Sequence, residues 1–139
     1  MGRGLPVGGS HQCRYGEGWG FVVEDDGMIV GYFAFLQSPE PTYQKIYGGE
    51  WIDDEQPYHV VHRIASYPEA RGIFSSIMDF CFSHDANIRI DTHCDNQIMQ
   101  HNILKHGFAY CGIIYHASGD ERLAYQKIIS KELWTTYRK

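Results

Sequence analysis

The 139-residue chain has no excess of basic residues: 12 Lys and Arg stand against 17 Asp and Glu, a formal net charge of -5. Nonspecific nucleic-acid binding, which needs a basic face to displace counterions from phosphates, is therefore not expected, although a local basic pocket is compatible with this balance. No apolar run approaches the ~18 residues needed to cross a bilayer, and no charged start leads into an apolar leader. Neither secretion nor membrane insertion follows from such a pattern. The four cysteines (Cys13, Cys81, Cys94, Cys111) include no C-x-x-C pair, so free thiols in a reducing, cytoplasmic setting are expected. There is no internal repeat, and three of the five prolines fall in one segment.

What is there suits one globular domain. A content of 43% hydrophobic and 21% charged residues lies outside the disordered range, and a chain of this length can bury a real core. Residues 1–18, "MGRGLPVGGSHQCRYGEG", are rich in glycine and aperiodic, and read as a flexible arm or remnant. The domain is expected over 19–129, with 130–139 as a tail. "WGFVVE" and "MIVGYFAFLQ" flank "DDG", a strong hairpin signal because Asp and Gly tolerate the positive φ of tight turns. "SPEPTYQKIYGGEWIDDEQP" should be a long loop with a short helical turn near residues 42–47.

"YHVVHRIAS" is the expected central strand, with Tyr58, Val60, His62 and Ile64 on one face and His59, Val61, Arg63 and Ala65 on the other. Apolar residues at helical spacing predict a helix over 73–84. "NIRID" is a strand, and "DNQIMQHNILKHGF" a helix capped by Asp95 or Asn96 and ended by Gly107. "FAYCGIIY" and "ERLAYQKI" form a second hairpin. The order β-β-β-α-β-α-β-β predicts an α/β or α+β sandwich on a mixed sheet.

Three places could carry chemistry. In "EARGIFSS" the free N–H groups of a helix start form an anion site, to which Arg71 adds charge, Gly72 close approach, and Ser75 and Ser76 hydroxyls. From spacing alone, a solvated arginine and a turn glycine are the plainer reading. In "DTHCDN", Asp91, His93 and Asp95 alternate, but no second ligand cluster supports a metal, and none is expected. His93 is either a general base or a polar loop histidine. His62 lies in the core or lines a cleft. Met99, Ile103, Cys81 and Cys111 fit core positions.

Taken together, "YHVVHRIASYPEARGIFSSIMDFCF", "NIRIDTHCDNQIMQHNILKHGFAYCGIIY" and "ERLAYQKI" resemble the GNAT superfamily of acyl-CoA-dependent N-acyltransferases over residues 19–128. The resemblance implies a twisted, mostly antiparallel sheet with flanking helices, whose central strand bulges and splays from its parallel neighbour. It implies acetyl-CoA as donor and an amine on a small molecule, peptide or protein as acceptor, with a homodimer as one arrangement. Backbone groups of Ile64, Ala65 and Ser66 would meet pantetheine. Arg71, Gly72, Ile73, Phe74, Ser75 and Ser76 would hold the pyrophosphate, and Asn96, Met99 and Ile103 would border the cofactor on the next helix.

Three departures stand out. Phe74 replaces a motif glycine: turned inward it leaves its N–H to phosphate, turned outward it blocks the approach. Ile103 replaces the tyrosine that protonates the leaving thiolate, so either Tyr110 or water would take that role or direct attack by a neutral amine is fast enough without it, with His62 or His93 as base. The family's first strand and two helices, which wall the acceptor site, have no counterpart among the eighteen residues before Trp19. Either the chain is shortened upstream or a neighbouring subunit completes it. The rival expectations are a noncatalytic GNAT-fold binding module and, more remotely, a metal-dependent hydrolase.

Overall fold

The computed structural model describes residues 11–130 together with 132, 134 and 135. Its elements are β1 (His11–Tyr15), β2 (Gly20–Asp25), β3 (Met28–Gln37), a 3-10 turn (Pro41–Tyr43), β4 (His59–Ser66), α1 (Ile73–Phe82), β5 (Asn87–Thr92), α2 (Gln97–Lys105), β6 (Ala109–Tyr115) and β7 (Glu121–Ile128). The seven strands form one sheet in the order β1-β2-β3-β4-β5-β7-β6. Among the described residues only β4 and β5 run parallel. The expected mixed, mostly antiparallel sheet with flanking helices is present. Among the described residues no helix is long and apolar enough to cross a membrane.

Local chemistry explains most of these elements. Asp26 (φ 53°) and Gly27 (φ 81°) close the β2–β3 hairpin in the left-handed region that tight turns require. The apolar period of α1 buries Ile73, Phe74, Ile77, Met78, Cys81 and Phe82. They pack on Phe33, Phe35, Val61, Ile88 and Ile90 of the sheet. Asn96 caps α2, its Oδ1 accepting the Met99 N–H at 3.0 Å, and Gly107 ends it at φ 90°. Both helices cover one face of the sheet. On the other face the 38–58 loop lays Tyr43, Trp51 and Tyr58 over Val60, Cys111, Ile114 and Ala124.

Two expectations are corrected. His11–Tyr15, assigned to the arm, form edge strand β1 against β2. Strand pairing runs through the backbone and needs no apolar pattern; here the turn closes by Gly16 N–H to Gly20 O (2.9 Å) and Gly20 N–H to Glu17 O (2.8 Å). Residues 1–10 lie outside the described residues, as does part of the expected tail, although Trp134 packs half-buried on the helix-side core. The second correction is Ile64, which joins Val61 on the helix side instead of sharing a face with Val60 and His62. Tyr32 pairs with Ala65 and Ala34 with His62. Two β4 residues, Arg63 and Ile64, thus oppose one residue of β3, and this bulge resets the alternation.

Candidate active site

Parallel pairing of β4 and β5 lasts three rungs, His59–Ile88, Val60–Arg89 and Val61–Ile90. Beyond Val61, β4 runs on to Ser66 paired with β3 alone, while β5 ends at Thr92 paired with β7. The strands part, and β4 presents an edge at residues 64–66 with no strand beside it among the described residues. Arg63 at φ 58° marks the bulge, a conformation that costs a non-glycine residue roughly 1–2 kcal/mol.

The next helix starts where the chain leaves this opening. Gly72 (φ 71°) is the N-cap of α1, no side chain among the described residues caps the helix, and no acidic residue occupies its first turn. The first intrahelical bond runs from Ser76 N–H to Gly72 O at 3.0 Å, so the N–H groups of Ile73, Phe74 and Ser75 precede it. The Phe74 ring is buried and meets the His106 ring edge-on at 4.9 Å. Its side chain is core, and burying it contributes about 2 kcal/mol. Arg71 is exposed at the helix start. Ser75 Oγ lies 2.7 Å from His106 Nε2, and Ser76 Oγ 2.9 Å from His11 Nδ1. The N–H and hydroxyl of Ser76 are thus both engaged. Ala65, Ser66 and Asn96 are exposed, Met99 is half-buried, and Ile103 is fully buried in the helix-side core.

On the opposite face lies a cleft of about 940 Å³ that includes Glu40, His62, Arg63, Asp91, His116 and Arg122 in its lining. His62 and Asp91 each follow a residue of the last parallel rung. Their side chains meet across the opening, Nδ1 to Oδ2 at 3.8 Å, and His62 Nε2 lies 3.4 Å from Glu40 Oε1. Asp91 is held in turn by the Tyr43 hydroxyl, which donates to Oδ2 at 2.6 Å. His116 Nε2 (3.3 Å) and Arg122 Nη1 (3.6 Å) approach its Oδ1. Burial, then the Asp91 charge, pushes the Tyr43 phenol well above its ordinary range, so it stays a donor.

Burial raises the Glu40 carboxyl, but the Thr42 N–H and hydroxyl (3.1 and 2.9 Å) and His62 outweigh that and hold it below its ordinary 4.5. A folded-state value below the unfolded one stabilises the fold fully above 4.5, and the gain is lost as pH falls through the folded value. Glu40→Gln is therefore expected to lower the urea midpoint at neutral pH, with the difference from the parent protein closing in acid. A constant difference down to the acid limit would refute this assignment.

The other proposed catalytic side chains do not line this cleft. His93 is exposed after β5, and its Nδ1 accepts the Asp95 N–H at 3.0 Å. In the neutral ring that leaves the proton on Nε2 and no free lone pair. Tyr110 is exposed near the sheet edge, packed edge-on to Tyr125 at 5.7 Å. Sequence reading missed Glu40, Tyr43, Arg63, His116 and Arg122 as site residues, and Asp91 was noticed only within "DTHCDN". The proline-rich loop was the one local signal for Glu40 and Tyr43. The remaining partners come from strands and turns distant in the chain.

The sheet thus splays at its parallel pair, with the α1 start behind the opening and a histidine–carboxylate cluster at its vertex. No protein-family model and no curated protein matches the sequence. Among solved structures, the chain is similar to an acetyltransferase of the GNAT family from Streptococcus agalactiae, with 36% identity over 81% of this chain and a TM-score of 0.74. The chain spans 66% of that protein. A GNAT-family acetyltransferase from Bacillus cereus shares the fold at 21% identity and a TM-score of 0.55, over 81% of this chain and 72% of that one. So does the Bacillus subtilis N-acetyltransferase YlbP in complex with coenzyme A, at 14% identity and a TM-score of 0.52, over 76% of this chain and 66% of that one. The chain belongs to the GNAT family of acetyltransferases.

Proposed function

We propose that the protein transfers the acetyl group of acetyl-CoA to a primary amine, with the donor in the β4–β5 opening and the acceptor in the cleft. The observation that carries this reading is the vertex: His62 and Asp91 stand one residue beyond the Val61–Ile90 rung, where the opening meets the cleft. The coenzyme A bound to the Bacillus subtilis neighbour supports the choice of donor. The residues present fit that group. Arg71, Gly72 and the first-turn N–H groups of Ile73, Phe74 and Ser75 receive the pyrophosphate. The β4 edge at Ile64, Ala65 and Ser66 faces the pantetheine amides, and Asn96 and Met99 border it from α2. The four free thiols support a reducing, cytoplasmic setting.

Acetyl-CoA supplies an activated acetyl carbonyl. His62 takes a proton from the bound amine, directly or through water, and Glu40 and Asp91 flank the resulting imidazolium. A carbon–nitrogen bond forms as the carbon–sulfur bond breaks. One proton leaves with the thiol and the other passes through His62 to solvent. Placement beside the carbonyl supplies most of the acceleration, and a β4 N–H stabilises the developing oxyanion.

Calorimetry with acetyl-CoA, followed by thiol release across a panel of amines, tests the reading. His62→Gln is expected to lower kcat by about 10²–10⁴ and to leave donor affinity unaltered; an unaltered rate removes His62 from the mechanism. Absence of saturable binding at millimolar acetyl-CoA would defeat the enzyme reading and favour a noncatalytic module.

A further inference from the structure

The β4 bulge also changes which side chains reach the cleft. Under strict alternation Arg63 would face the helices and Ile64 the cleft. Instead Ile64 packs on the helix side, and the consecutive residues His62 and Arg63 both line the cleft. Arg63 occupies the left-handed region, which suits glycine or asparagine far better than arginine.

The charges around it are mostly committed. Arg122 lies against Asp91 at 3.6 Å, and Glu40 is engaged by Thr42 and His62. Glu17 lines the cleft from the β1–β2 turn. Arg63 is exposed and makes no ion pair among the described residues. An uncommitted guanidinium thus stands beside the histidine that two carboxylates flank.

Resting on the acetyl-transfer reading, we propose that Arg63 sets acceptor specificity and that the acceptor carries a carboxylate close to its amine, as an α-amino acid does. The amine end meets His62, which removes a proton beside the Glu40 carboxylate. The carboxylate end meets the Arg63 fork, whose parallel N–H groups match its two oxygens. The Cα atoms of the consecutive residues His62 and Arg63 lie about 3.8 Å apart, so the base and the guanidinium fork start from one point of the cleft. That arrangement suits groups on the same carbon better than groups at the ends of a long chain.

The experiment compares amino acids with the amines left by removing their carboxylates: L-phenylalanine with phenethylamine, L-leucine with isopentylamine, L-lysine with cadaverine. Thiol release is read at saturating acetyl-CoA. The expected result is a higher kcat/KM for the amino acid in at least one pair. Arg63→Gln should shrink that acid-to-amine ratio roughly ten- to hundredfold, mainly through KM, and Arg63→Lys should restore part of it. Arg63→Gly relieves the positive φ, so it should be at least as resistant to heat while losing the same preference; this separates recognition from folding.

The proposal is overturned if no amino acid is preferred to its amine, or if Arg63→Gln slows both members of each pair equally. It is also overturned if acetyl-CoA binds and no amino acid is acetylated. Failure to bind acetyl-CoA at all would instead defeat the acetyl-transfer reading itself.

Discussion

Gly72→Asp is expected to weaken acetyl-CoA binding roughly ten- to hundredfold, whereas Gly72→Asn should stay within a few-fold of the parent protein, a contrast that Coulomb repulsion at the helix start produces. The two replacements have nearly the same shape. Both tolerate the left-handed conformation that Gly72 adopts at φ 71°, and both are favoured N-caps. Backbone strain is therefore matched between them, and what differs is the carboxylate charge, which favours the free helix start and opposes a bound pyrophosphate. Titration calorimetry at low salt reads the contrast, and thermal unfolding confirms that both variants remain folded. Equal affinities for the Asp and Asn forms would place the phosphates elsewhere. The neutral form also tests whether a side-chain cap, absent in the parent α1, competes with the ligand for the first-turn N–H groups.

The second large effect concerns stability. Arg89→Ala is expected to cost roughly 3 kcal/mol, a shift of about 10 °C in Tm for a domain of this size. Arg89 is fully buried. Its guanidinium carbon lies 4.0 Å from the Trp51 ring centre and 3.8 Å from that of Tyr58, while Nη2 donates to Asp53 O (3.0 Å) and Asp54 Oδ1 (3.1 Å). Among the described residues the Nε and Nη1 atoms have no hydrogen-bond partner, and the two aromatic faces stack on the guanidinium plane. Truncation removes this packing and leaves a cavity beneath the loop that carries Glu40 and Tyr43. Arg89→Met keeps the stem and most of the volume and should cost much less. Urea denaturation measures both; a cost below about 1 kcal/mol for the alanine variant would show that the stacked guanidinium does not hold the loop.

Features that depend on near neighbours were legible in the residue order. Asp26 and Gly27 tolerate positive φ whatever surrounds them, so the β2–β3 hairpin followed from "DDG". The Asn96 cap and the Gly107 stop are likewise settled within one turn of helix. The apolar period of 73–82 showed which face of α1 would be buried, but left open whether Phe74 belonged to it. Packing against His106 across α1 and α2 decided that.

Pairing between distant segments was not legible. The bulge exists only as a mismatch of register between β4 and β3, and it moved Arg63 into the cleft and Ile64 out of it. Edge strand β1 lacked a pattern because its pairing is made by the backbone.

The sequence by itself determined the elements, the family resemblance and the helix start at Gly72, because each rests on residues a few positions apart. Only the tertiary structure decided that Glu40, His62 and Asp91, separated by 22 and 29 residues, share one cleft. Their contacts are set by where β4 and β5 stop pairing and by how the 38–58 loop folds back on the sheet. A local stretch of residues does not encode either distance.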